Sequence, residues 1–160
     1  MKSEIHEAKA FEIIRMTGNV ITYEDKDNKN YWVSNGYFAF KTKSIEKIAT
    51  IKNFEHNLLT PEFGIKITID LANKAIDKYI DTKIGFLNNN NEERILKNSK
   101  NNFILINNEY AKIFEGCTFR ASYPKKAPIY VFSDADELIG IIVVRTPWCN
   151  ISEFLKDVAN

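Results

Sequence analysis

The chain is short of the residues that mark special environments. Two cysteines, six glycines and four prolines occur in 160 residues. Cys117 and Cys149 stand in no CxxC or other paired spacing, which excludes a disulfide scaffold and fits reduced thiols in a reducing compartment. Nowhere do about 18 apolar residues run together as a membrane span requires. Charges interrupt the opening MKSEIHEAKAFEIIRM every few residues, where a signal peptide has an unbroken apolar core. The expectation is a cytoplasmic protein without membrane contact. An excess of one charge sign is also missing: 22 Lys and Arg against 21 Asp and Glu leave +1, so overall charge selects no partner.

Signatures of chemistry are missing as well. There is no GxGxxG, GxxxxGK[ST], GxSxG or HExxH, so nucleotide binding and the common hydrolase readings have no motif to rest on. His6 and His56 have no companion at metal-ligand spacing. Cys117 opens an expected strand and reads as a buried core thiol rather than half of a Cys-His nucleophile pair. Asp134, Asp136 and Glu137 lack the glycine and closing glutamate of a calcium-binding hand and read as a solvated hairpin turn. No catalytic, cofactor or metal residues are assigned, and the expected class is a non-enzymatic protein that binds a macromolecule.

What is present describes an ordinary globular chain. Hydrophobic residues make up 44% and aromatics 12%, and 160 residues suit one domain, 1–160, able to bury roughly two-thirds of its unfolded surface. Apolar residues from Ser3 to Met16 fall at helical spacing, with Ser3 as N-cap and Gly18 as the stop. Strands are expected at Val20–Tyr23 and on both sides of Asn35-Gly36 within Tyr31–Phe40, since Asn-Gly between β-formers is a strong hairpin signal. The same order returns later. A strand at Phe103–Ile106 leads to a helix from Asn108 to Glu115, ended by Gly116, and then to strands at Cys117–Tyr123, Ile129–Phe132 and Leu138–Val144. Phe40-Lys41-Thr42 and Val144-Arg145-Thr146 close the two units alike. The fold class read from this is α+β, with a duplicated α-β-β-β unit of about 40 residues. Between the units, Ile65–Ile69 reads as a strand, Leu71–Ile80 as a helix and the Asn-rich stretch Asn88–Lys100 as a mobile loop. A short C-terminal helix capped by Asn150 or Ser152 carries Phe154 and Leu155.

Local charge is more informative than the total. From Arg94 to Lys126, Arg94, Lys97, Lys100, Lys112, Arg120, Lys125 and Lys126 face only Glu109 and Glu115, seven against two or net +5. Beside Phe119 and Tyr123 this excess either contacts phosphates or is a set of ordinary solvated charges. Lys41, Lys43, Lys47 and Lys52 form a second cluster open to the same two readings. The aromatics Trp32, Tyr37, Phe38 and Phe40 alternate on a hairpin, and any exposed subset would mark a protein-binding face.

The repeated helix and three strands, with Tyr31–Lys41 as one hairpin and Ile129–Arg145 as its counterpart, resembles one domain of the DNA sliding clamps. The stretch Pro128-Ile129-Tyr130-Val131-Phe132, a polar turn, then Gly140-Ile141-Ile142-Val143-Val144-Arg145-Thr146-Pro147 is similar to the way bacterial clamp domains end. It also looks like small clamp-related proteins of phages and mobile elements. The resemblance implies a sliding-clamp-like domain that contacts duplex DNA or a replication protein, with homo-oligomers possible. Clamp rings turn basic helices toward the duplex. Here the corresponding helices carry Glu4, Glu7, Glu12, Glu109 and Glu115. The alternative is a phage- or plasmid-encoded inhibitor that occupies a host protein such as a defence nuclease. Candidate contact residues are Arg94, Lys97, Lys100, Arg120, Lys125, Lys126, Lys41 and Lys43.

Overall fold

The computed structural model describes residues 5–17, 20–51, 61–121, 128–145, 151–153 and 155. Helix α1 spans Glu7–Thr17 and turns Ala10, Phe11 and Ile14 into the core, the i, i+1, i+4 stripe expected of a half-buried helix. Strands β1 (Ile21–Asp25), β2 (Asn30–Ser34) and β3 (Phe38–Thr42) follow as an antiparallel meander. The Asn35-Gly36 turn forms as expected, as a three-residue loop in which Gly36 takes φ 93°. The Asn35 side-chain oxygen accepts from the Tyr37 and Phe38 amides at 2.9 and 3.1 Å, which supplies the backbone partners that the loop lacks.

Helix α2 (Ile45–Ile51) and helix α3 (Pro61–Asp70) come next, then a 3-10 turn at Ala72–Lys74. The long hairpin of β4 (Asp77–Asn88) and β5 (Asn91–Asn98) leads into β6 (Phe103–Asn107) and helix α4 (Asn108–Ile113). Strands β7 (Thr118–Ala121), β8 (Ile129–Phe132) and β9 (Leu138–Ile142) form a further meander. A helix followed by three strands therefore occurs in both expected places. All nine strands join one sheet in the order β1-β2-β3-β9-β8-β7-β4-β5-β6, every neighbouring pair antiparallel. It consists of three three-stranded meanders joined at β3–β9 and at β7–β4.

Three expectations fail between the two units. The segment 65–69 is helical, not a strand, because α3 lies on the sheet with Ile65 buried and Ile69 half-buried while Ile67 faces water. Leu71–Ile80 is not a helix: the 3-10 turn gives way at once to β4. The stretch 88–100 is not a loop either. Asn89 and Asn90, at φ 50° and 70°, make a two-residue turn of the type that matches strand twist, and β5 runs behind it. At the C-terminal end residues 151–153 are already helical, so Ser152 is not the cap. Ser3, Gly18, Tyr123, Asn150 and Phe154 lie outside the described residues, as do His56 and Cys149. Cys117 precedes β7 and packs half-buried against the main core.

The two sheet faces hold separate cores. On the first, α1, α2 and α4 cover Val33, Phe38, Phe40, Tyr79, Leu96, Ile106, Val131 and Ile142. Phe114, just past α4 and fully buried, lays its ring on Gly140 of β9, where a Cβ would overlap the ring. On the second face α3 packs over Trp32, Ala39, Tyr130 and Ile141, with the Tyr130 hydroxyl donating to the Thr68 carbonyl at 2.8 Å. Ile151 and Leu155 cover Phe86, Ile95 and Leu105 farther along the same sheet.

Candidate functional site

Register decides what each candidate basic residue can do. Asp81 pairs with Leu96 across β4–β5, which places its carboxylate on the same face as Arg94. Arg94 Nη1 lies 2.9 Å from Asp81 Oδ2, and Nε and Nη2 donate to Asn108 Oδ1 at 3.1 and 2.8 Å. That guanidinium ties the long hairpin to α4. Arg120 on β7 pairs with Asp136 of the β8–β9 turn and lies 4.3 Å from the Phe132 ring centroid. Lys41 pairs with Glu137 of the same turn. Sequence neighbours make 94–126 look basic, whereas the fold brings acidic residues from outside the window to Arg94 and Arg120, and another to Lys41 of the second cluster. Lys97, Lys100 and Lys43 have no ion-pair partner among the described residues. Lys125 and Lys126 lie outside them. The second face still carries two lysines without an ion-pair partner among the described residues, Lys78 opposite the paired Arg120 and Lys97 opposite the exposed Ile80.

A concavity lies elsewhere. Helices α1 and α4 pack side by side, joined by the His6 amide donating to the Ile113 carbonyl at 2.9 Å and by a Lys9–Glu109 ion pair at 3.0 Å. Lys9, seconded by Lys112, holds the Glu109 carboxyl below its ordinary range. Between these helices runs an open groove of about 630 Å³ with Ile13, Met16 and Tyr110 among its apolar walls and Lys9, Glu12 and Glu109 on its rim. Met16 is 80% exposed, a large apolar side chain left in water.

A second cleft, of about 230 Å³, shares Thr17, Asn107 and Tyr110 with the groove and adds Tyr37, Val143 and Arg145. The β2–β3 loop reaches it through Asn35, whose amide donates to the Tyr110 hydroxyl at 3.4 Å, while the Phe38 and Tyr110 rings stack at 4.4 Å. Burial raises the Tyr110 hydroxyl above its ordinary value, so it keeps its proton. Glu93 opposes Asn107 across β5–β6 and is 1% exposed. Its Oε1 lies 3.3 Å from Arg145 Nε, and its Oε2 has no hydrogen-bond partner among the described residues.

Burial, opposed by Arg145, raises the Glu93 carboxyl above the usual carboxylate range. An acid raised in the folded state binds its proton more tightly there than in the unfolded chain. Stability should therefore fall as pH rises from the ordinary carboxylate value through the folded one, with the full cost standing above it. Glu93→Gln removes that titration, so its stability, followed by urea unfolding from acidic to neutral pH, should be flatter than that of the wild type. Parallel curves for the two proteins would show that Glu93 does not titrate with folding.

Comparison with protein-family models, with curated proteins and with solved structures finds no match to this chain. No helix among the described residues is long and apolar enough to cross a membrane. Sequence reasoning singled out neither the groove nor Glu93, Asn107 and Tyr110, and it met Arg145 only as the close of a repeat. The one available signal was Met16, an apolar residue at the edge of the helical stripe.

Proposed function

We propose that this protein is a non-enzymatic, clamp-like binding protein of a phage or mobile element, and that its partner is a protein received along the groove between α1 and α4. The duplicated clamp-like reading is supported by a helix and three strands in each unit, by α1 and α4 lying side by side, and by the joining of the two meanders at β3–β9. The groove carries the choice of partner. It combines apolar walls and an exposed methionine with a rim of both charge signs, a chemistry suited to a protein surface and unsuited to the uniform charge of a phosphate backbone. The partner is a replication protein of the element or, in the inhibitor reading, a host protein such as a defence nuclease. Lys78 and Lys97, on one face of the sheet, favour a second reading, salt-sensitive contact with duplex DNA.

Immobilised wild type and Met16→Glu, offered nuclease-treated host lysate and separately a short DNA duplex at low and moderate salt, distinguish these readings. The expected result is a protein retained by the wild type and weakened about tenfold or more by Met16→Glu, whose exposed position leaves the fold intact. Recovery of nucleic acid alone, with duplex binding abolished by Lys78→Glu and Lys97→Glu, would replace the protein-docking reading with the DNA one.

A further inference from the structure

We propose that the cleft beside the groove is a receptor for a carboxylate of the docked protein, held by the terminal guanidinium nitrogens of Arg145. This rests on the groove being a docking surface, since the cleft continues it past Thr17, Asn107 and Tyr110.

The polar groups there are short of acceptors. Arg145 is fixed at both ends of its length: its backbone amide donates to the Leu105 carbonyl at 2.8 Å, and its Nε faces Glu93. Nη1 and Nη2 have no partner among the described residues, and the side chain is 38% exposed. The Tyr110 hydroxyl accepts from Asn35 and has its proton free to donate among the described residues. Asn107 uses its oxygen to accept from the Glu109 amide at 2.8 Å, which leaves its NH₂. Thr17 gives its proton to the Ile13 and Ile14 carbonyls and so offers acceptor capacity, and the Tyr37 hydroxyl can donate or accept. A concavity lined mainly by uncommitted donors attracts an anion, and a guanidinium held by Nε presents its other two nitrogens as a fork that matches a carboxylate. Val143 and the 54%-exposed Tyr37 add an apolar wall that suits a carboxylate on a carbon chain better than a free phosphate. Glu93, buried behind, positions the guanidinium and leaves its front face open.

The test is an NMR titration of the labelled protein with acetate and, separately, with inorganic phosphate. Acetate should shift the signals of the Arg145 Nε, the Asn107 side-chain amide and the Tyr110 ring in a saturable way. Arg145→Lys, which keeps the charge and loses the fork, should weaken acetate about tenfold. Because Arg145→Gln alone strands Glu93, removal of the charge is tested in Glu93→Gln/Arg145→Gln, where the response should vanish. Absence of an acetate response, a stronger response to phosphate, or an acetate response that survives the double variant would overturn the proposal. Failure of Met16→Glu to release a captured protein would instead count against the groove and leave the acetate result standing on its own.

Discussion

Phe114→Ala should cost about 3–5 kcal/mol of folding stability, the usual range for removing a fully buried phenylalanine. Phe114 ends α4, and its ring is the contact between that helix and the backbone of β9 at Gly140. Removing the ring opens a cavity that no neighbour fills without moving α4. The reciprocal substitution, Gly140→Ala, pushes a methyl group into the ring and should cost about 1–3 kcal/mol. The two effects should not add: once the ring is gone the methyl has room, so Gly140→Ala should cost much less in the Phe114→Ala background. Urea midpoints at unchanged slope would measure all four proteins. Strictly additive losses would mean that the ring and the glycine do not share the space.

Arg94→Met should destabilise the fold by about 1–3 kcal/mol, because both side chains are only 12–15% exposed and Asp81 is left with the mostly exposed Lys83, at 3.4 Å, and the Lys83 amide as partners. The estimate sits below the range for fully buried pairs because some solvent screening remains. Asp81→Asn added to Arg94→Met should restore part of the loss by removing the largely buried charge that Lys83 alone would have to balance. The same substitution separates two roles for this residue. If Arg94 were a phosphate contact, its loss would lower the salt dependence of DNA binding and leave the unfolding midpoint in place. The geometry predicts a shifted midpoint, since Asp81 and Asn108 occupy the guanidinium.

The elements read correctly from the sequence are those whose local signal agrees with their surroundings. Helix α1 and strands β1–β3 and β7–β9 have clear periods and turn residues, and they form within a few residues of the expected positions. The middle of the chain misleads for identifiable reasons. Ile65 and Ile69 are spaced i, i+4, a spacing that suits a strand face and a helix face equally, and only the exposure of Ile67 separates the two. Ala72, Ala75 and Tyr79 recur at helical spacing although the helix lasts a single turn. In β5 the strand signal is masked because two of its buried positions are Glu93 and Asn98, polar residues whose partners come from elsewhere in the sequence: Arg145 for one oxygen of the first and Asp77, at 3.0 Å, for the second.

The site was less legible than the fold. A basic window in the sequence says nothing about which carboxylates the register will set opposite it, so the pairing of Arg94, Arg120 and Lys41 emerges only once strands are aligned. Likewise the groove exists because two helices separated by most of the chain lie against each other, and Arg145 gains its surroundings from β5, β6 and the β2–β3 loop.

The β3–β9 seam sets an order of assembly. Phe38, Ala39 and Phe40 find their partners in residues 140–142, so the first meander cannot be completed by its own sequence neighbours. During synthesis Phe38 and Phe40 remain without that cover until the last meander has left the ribosome, and contacts of such long range close slowly. The nascent chain therefore carries the unpaired edge of β3 until β9 is made, although Phe11 of α1 can already pack on Phe40, and a chaperone that shields this edge would act during that interval.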